Sequence, residues 1–369
     1  MTGLLDSRIG LKRALLLAVT LVCALATSQV RAATQSFAAL SEQLSEPNGE
    51  FDTDNLISNE SSYLHVVPAL EQGGVTGGAY IGVGPDQNFS YIARIRPTAA
   101  FIIDIRRDNL LLHLLFKALF GASRNRMEYL SLLTGRTAPE RLDSWRDSTI
   151  EKIVAYVDQA KPLPAASLAA TAERLHEAIK KTGMNISDAD LATIDRFHAQ
   201  FIRAGLSLQF QSTGRPARAD YPTYRELLLE TDRRGKQLCY LASEDDFQFV
   251  KGLEGRDLVV PVIGNLAGPH ALAAIGQELG RRGEKVSAFY ISNIENYLLR
   301  DGSFPRFVDN VKKLPHNDKS VVIRSLFGGY QLPESVPGYN STSAIQKIDE
   351  LLANCGSTQC RGYYDLLKK

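Results

Sequence analysis

The sequence predicts an α/β protein whose centre is a doubly wound, mostly parallel sheet carrying a helical insertion. Three observations predict it. Gly78-Ala-Tyr-Ile-Gly-Val83, Ala99-Ala-Phe-Ile-Ile103, Gln237-Leu-Cys-Tyr-Leu241, Leu258-Val-Val-Pro-Val-Ile263, Val286-Ser-Ala-Phe-Tyr-Ile291 and Ser320-Val-Val-Ile323 are short apolar runs rich in β-branched and aromatic residues, as strands buried on both faces are. Most are followed by a helical pattern, and such alternation implies parallel strands joined by right-handed crossovers. Residues 125–235 carry helical periodicity and no strand signal, the mark of an insert lying over the sheet as a cap.

In chain order, residues 1–13 hold three bases, residues 14–26 read ALLLAVTLVCALA, and Val30-Arg31-Ala32 puts small or aliphatic residues where a processing enzyme cuts. That order is a secretory signal over 1–32. The apolar run is shorter than the roughly 20 residues that span a bilayer comfortably, so export to the periplasm or beyond is expected. The alternative is an inner-membrane protein held by an uncleaved leader, which is then its only membrane contact. The first part of the sheet domain follows at 33–124; its opening, 34–72, is polar and irregular, ending in Tyr63-Leu-His-Val-Val67, which could cover an edge. Helices are expected at Asn109–Phe120, Glu244–Leu253 with Ser243 as N-cap, and Pro269–Leu279. In the insert, Leu142, Trp145, Ile150, Ile153, Val154 and Val157 share one helical face, and Leu191, Ile194, Phe197 and Phe201 another. Ser187 and Asp190 form a capping-box pattern with Asp in place of Glu, and Lys161-Pro-Leu-Pro164 breaks the insert. The second part of the sheet domain spans 236–330, and 331–369 is a C-terminal tail.

Composition excludes several classes. With 44% apolar and 22% charged residues the chain is ordinary globular material, neither disordered nor fibrous. Removing a leader with four bases and one acid takes the net charge from +1 to about −2, leaving no bulk electrostatic attraction to nucleic acid or anionic membrane. Cys355 and Cys360 bracket a polar loop, where export makes a disulfide plausible; Cys239 sits in an apolar run as a buried small hydrophobe. His65, His113, His176, His198 and His316 share no ligand spacing, so no metal is expected, and there is no G-x-S-x-G elbow.

The most informative stretch is Tyr80-Ile-Gly-Val-Gly-Pro-Asp-Gln-Asn-Phe89, a strand running into a glycine turn. Gly82 and Gly84 permit a sharp turn and close ligand approach. Asp104, twenty residues after Gly84, ends the second strand, where a carboxylate accepts hydrogen bonds from ribose hydroxyls. The third glycine of G-x-G-x-x-G falls at Gln87, and Asp86 would repel phosphates, whereas a sulfonium ligand carries a positive centre and no phosphate. The plain alternative is a turn that only connects two buried strands.

Three segments, 82–120 (GVGPDQNFSYIARIRPTAAFIIDIRRDNLLLHLLFKALF), 259–279 (VVPVIGNLAGPHALAAIGQEL) and 287–298 (SAFYISNIENYL), resemble an uncharacterised bacterial family with a class I S-adenosylmethionine-dependent methyltransferase-like, Rossmann-like fold, over most of 63–330. The resemblance implies that fold and a pocket shaped for S-adenosylmethionine. It places Gly82, Gly84 and Asp86 at the methionine part of the ligand, Asp104 at the ribose, and Ser243 with Glu244 at the adenine; Gln87 and Asn88, next in the turn, are further cofactor-binding candidates.

Further candidates lie at the carboxyl ends of the later strands, where doubly wound folds bind ligands. Asn265 would orient a substrate or cap the following helix; His270 is a candidate base near neutral pH or a surface group. Ser292, Asn293, Glu295 and Tyr297 cluster after the fifth run, and Arg324 would bind a carboxylate or pair with Glu295. These features are compatible with methyl transfer to a small substrate, with a non-catalytic small-ligand-binding protein of the cell envelope, or with an interaction module using the cap's outer face. A periplasmic enzyme would be separated from S-adenosylmethionine, which is made in the cytoplasm.

Overall fold

Six strands, β1 Ala79–Gly82, β2 Ala99–Asp104, β3 Val259–Ile263, β4 Val286–Ser292, β5 Val321–Phe327 and β6 Ser341–Lys347, form one sheet in the order β3-β2-β1-β4-β5-β6. The first five are parallel and β6 is antiparallel to β5. This is a computed structural model, and it describes residues 35–366 except 54, 213–214, 216–217, 328–331, 357–359 and 361. The expected leader, 1–32, lies outside the described residues. All elements belong to the compact unit Phe37–Lys369. Among the described residues no helix is long and apolar enough to cross a membrane.

The strands form where the apolar runs are because almost every residue of β1 to β5 is buried. Pro261 is tolerated in β3 because that strand pairs only with β2, and an edge strand has no second ladder to break. The outer edge of β3 is covered by the N-terminal segment: Ser41 donates to Pro261 O at 2.5 Å and Glu46 N to Ile263 O at 2.7 Å, which shields the strand from further pairing.

The principal helices are α1 Phe37–Leu44, α2 Gln87–Ile95 between β1 and β2, and α3 Arg107–Ala122 after β2. The insert then supplies α4 Arg126–Leu133, α5 Ile150–Gln159, α6 Ala165–Lys180, α7 Asp188–Ala204 and α8 Tyr224–Leu229. The chain returns through α9 Glu244–Gly255, α10 Ala271–Arg282 between β3 and β4, α11 Ile294–Arg300 and α12 Phe304–Val311 between β4 and β5, and α13 Ile348–Asn354 after β6. Helices α6 and α7 pack along α3, which itself lies against β3. The capping box of Ser187 and Asp190 starts α7, Ser243 caps α9, and the Lys161–Pro164 segment separates α5 from α6.

Two expectations are corrected. Gln237–Leu241 is a turn and not a strand: Cys239, Tyr240 and Leu241 are buried, but the Tyr240 amide donates to Ser90 Oγ at 3.1 Å instead of entering a ladder. The segment 331–369 is no tail, since it contributes β6 and α13. The glycine turn is followed at once by a helix, α2, that ends at Arg96 in the left-handed region (φ 54°). Tyr63–Val66 does pack beside the edge strand β6, and Ser62 Oγ bonds the hydroxyls of Ser341 and Ser343.

Candidate functional site

Strand order reverses between β1 and β4, and the loops leaving their carboxyl ends diverge there. A cleft of about 670 Å³ opens at this point. Its floor is the strand ends: Val83 and Gly84 after β1, Ile103 to Ile105 at β2, Gly264 to Leu266 after β3, and Ser292 to Ile294 after β4. One wall comes from the N-terminal segment (Glu50 to Thr53, Asn55, Ser58 to Glu60), another from the end of the insert (Phe210, Ser212, Arg215, Arg218, Tyr221), and Tyr297, Leu298, Arg300 and Asp301 complete it. Phe51, 40% exposed, stacks edge-on against Tyr297 at 5.1 Å at the mouth.

The structure brings Gly84, Gln87, Asp104, Asn265, Ser292, Asn293 and Tyr297 together in this cleft. Gly84 has φ +81°, which disfavours a side chain. Asp104 accepts from Arg106 N at 2.9 Å, and the Arg106 guanidinium bonds both of its oxygens at 3.2 Å. Asn265 Oδ1 accepts from Ala267 N at 2.9 Å, a local turn. Burial raises the Tyr297 hydroxyl above the ordinary tyrosine range.

Other expected site residues are turned elsewhere. Gly82 is required by packing and not by a ligand, because a Cβ there would overlap Asn88 Oδ1 and the Tyr80 ring. Asn88 is spent on the turn: its amide donates to Val83 O, Gly84 O and Pro85 O while its Oδ1 accepts from Tyr80. Asp86 points into the core, accepting from Tyr224 at 2.8 Å and Tyr240 at 3.2 Å, and burial pushes its carboxyl up to about 6. Ser243 and Glu244 line a separate surface groove, where Ser243 caps α9 and Glu244 faces Arg126 at 3.6 Å. His270 is exposed and bound to Gln43 O at 2.8 Å, outside the cleft lining. Glu295 and Arg324 form a buried ion pair at 2.7 Å, extended to Gln346, as the pairing alternative has it.

Glu60 is the functional candidate that sequence reasoning missed. It is 1% exposed yet lines the cleft, and it accepts hydrogen bonds from Tyr290 (2.7 Å), Ser292 and Ser325. Burial raises its carboxyl above the ordinary range, and the three hydroxyls oppose that. Tyr290 has one proton, which goes to Glu60, so its oxygen accepts from Gln87 Nε2 at 3.0 Å. Eight acidic side chains are buried among the described residues. Asp232, Glu244, Asp246, Glu254, Glu278 and Glu295 each face an Arg or Lys; among the described residues Glu60 and Asp86 face none.

The cleft does not suit an anion. The backbone donors at the start of α10, a natural phosphate site, already hold the carboxylate of Glu46, which accepts from Asn265, His270 and Ala271. The lining counts Glu50, Asp52, Glu60, Asp104 and Asp301 against Arg215, Arg218 and Arg300, with Arg215 paired to Asp52 and Arg218 to Asp220. Among the described residues no group of three or more His, Cys, Asp or Glu is placed to hold a metal ion.

Fold and cleft together define a class: a doubly wound α/β protein with a ligand-sized opening at its topological switch point. Residues 55–367 match the family model described as a domain of unknown function, DUF7790, and the chain belongs to that family. No curated protein matches the chain.

Proposed function

We propose that this is an exported protein of methyltransferase-like fold that binds S-adenosylmethionine in the switch-point cleft and serves methyl transfer to a small substrate. The observation that carries this reading is the joint position of Gly84 and Asp104: the left-handed Gly84 leaves the β1 turn without a side chain, and Asp104 ends the neighbouring β2 in the same cleft. The acid excess of the lining favours a ligand with a positive centre over a dinucleotide with a diphosphate. When bound, S-adenosylmethionine supplies an electrophilic methyl group.

The chain's own residues would do the rest. Asp104, held by Arg106, offers acceptors to a ribose; Gly84 admits the ligand backbone; Asn265, Asn293 and Tyr297 line the side from which a substrate would be aligned. A second reading, retention of the ligand without turnover, is favoured by one observation: Asp52 and Asp104 of the lining are held in ion pairs with Arg215 and Arg106.

The test is a melting experiment. Saturation at 100 times the dissociation constant stabilises the wild type by about 2.7 kcal/mol, and Asp104→Ala abolishes that shift while retaining the fold. No shift with S-adenosylmethionine or S-adenosylhomocysteine refutes the reading. A shift without methyl transfer to any of a panel of small nucleophiles supports retention.

A further inference from the structure

We infer that Glu60 is the counter-ion for a positively charged group of the ligand, an organic monocation carried as an ammonium or a sulfonium. The inference rests on the adenosyl reading and adds to it the residue that selects for charge.

Glu60 stands where β1 and β4 part, with Tyr290 and Ser292 on β4 and Ser325 on β5 around it. Taking a carboxylate out of water is costly unless it is paired, and the six other buried acids outside the glycine turn are paired. Among the described residues Glu60 has only neutral hydroxyls as side-chain partners. Three O–H dipoles turned inward stabilise negative charge but supply no positive one, so the carboxylate's field remains directed at the cleft it lines. Each carboxylate oxygen has two lone-pair directions; Oε1 uses one of them, for Ser292.

The backbone supports a built arrangement. Ser292 has φ +55°, and the register with β5 shifts between Tyr290 and Ser292. A bulge at a strand end re-aims the side chain it carries, and a non-glycine residue in the left-handed region is strained, so local structure must maintain it. Here it delivers Ser292 Oγ to Glu60. Two of the three cations that line the cleft are engaged, Arg215 with Asp52 and Arg218 with Asp220, and Arg106 beside it holds Asp104.

Asp86 provides the internal contrast. It is equally unpaired and hydroxyl-bound, but it does not line the cleft, so no ligand can neutralise it.

Titration calorimetry on the full chain at mildly alkaline pH tests the inference with S-adenosylmethionine (sulfonium and ammonium), S-adenosylhomocysteine (ammonium alone) and the desamino analogue of the latter. Glu60→Gln keeps the shape and removes the charge. If the ammonium is recognised, S-adenosylhomocysteine binds about tenfold or more tightly than its desamino analogue; if the sulfonium is, the same factor separates S-adenosylmethionine from S-adenosylhomocysteine. Either preference vanishes in Glu60→Gln, which melts no lower than the wild type. Should that variant fail to fold, the isotope-edited Glu60 carboxyl resonance of the wild type decides: it moves with the charged ligands and not with the desamino analogue. Equal affinities for all three compounds, a preference that survives in Glu60→Gln, or an unmoved resonance overturns the inference and leaves the adenosyl reading standing. If no adenosyl compound binds, that reading falls, and small primary amines paired with alcohols of the same shape decide Glu60 alone. An amine-specific melting shift lost in Glu60→Gln sustains it; equal shifts, including none, overturn it.

Discussion

The two sides of the first turn after β1 handle the same electrostatic problem differently. On the core side, Asp86 is enclosed by Tyr224 of the insert and Tyr240 of the return segment. On the cleft side, Glu60 is enclosed by Tyr290, Ser292 and Ser325. Both carboxylates are buried, hydroxyl-bound and unpaired, yet only Glu60 lines an opening that admits a ligand. An unpaired buried charge thus has two uses. Sealed, it ties an insert to a sheet and makes that joint sensitive to pH; opened to a cleft, it becomes a recognition element.

The largest effect is expected from a third unpaired carboxylate. Arg324→Met strands Glu295, at present held at 2.7 Å, and costs about 3–5 kcal/mol in denaturant unfolding. A loss below about 1 kcal/mol would mean that unpaired burial is cheap here and that Glu60 carries no information.

Asp86 supplies the next largest effect. Its carboxyl rises from 3.8 to about 6 in the folded protein, so the folded state binds this proton more tightly than the unfolded chain. The group's contribution is therefore greatest below about pH 4 and is lost as pH rises to about 6, a fall of about 3 kcal/mol. Subtracting the stability-versus-pH curve of Asp86→Asn from that of the wild type isolates this slope from others, such as that of Glu254, whose carboxyl burial and nearby Asp257 push up to about 7. A flat difference contradicts the sealed-carboxylate account.

Smaller still is the effect of the Cys355–Cys360 disulfide, which holds the end of α13 behind β6, the strand whose Ser343 neighbours Ser325. Reduction costs at most about 2 kcal/mol for so short a loop. Alkylation of the native protein without reductant labels none of Cys239, Cys355 and Cys360, since Cys239 is buried with its thiol pushed up to about 12. Labelling of both 355 and 360 would refute the bond. The smallest effect is expected of Glu60→Gln on stability alone, a slight rise in melting temperature at mildly alkaline pH, and a marked fall would make Glu60 a structural brace.

Much of this frame was legible in the sequence, for physical reasons. Strands buried on both faces write themselves as unbroken apolar runs, which is why β1 to β5 and the cleft-lining ends Gly84, Asp104, Asn265 and Ser292 could be placed. The edge strand β6, Ser341-Thr-Ser-Ala-Ile-Gln-Lys347, has no such signature because its hydroxyls bond neighbouring serines. Gln237–Leu241 misled because three consecutive buried residues suit a core turn as well as a strand. Glu60 was invisible: it lies in Ser58-Asn-Glu-Ser-Ser62, a polar stretch without periodicity, and its burial follows only from contacts more than 200 residues away in the chain. Asp86 was misplaced because a turn residue's side-chain direction depends on the insert that closes over it.

The most direct test of the central claim, that the switch-point cleft holds a cationic adenosyl ligand, is native mass spectrometry of the protein purified from its own host. A bound species with the mass of S-adenosylmethionine or its demethylated product is expected, absent from Asp104→Ala prepared in the same way. A retained ligand with no positively charged group, or wild-type protein that stays ligand-free after addition of both compounds, would contradict it.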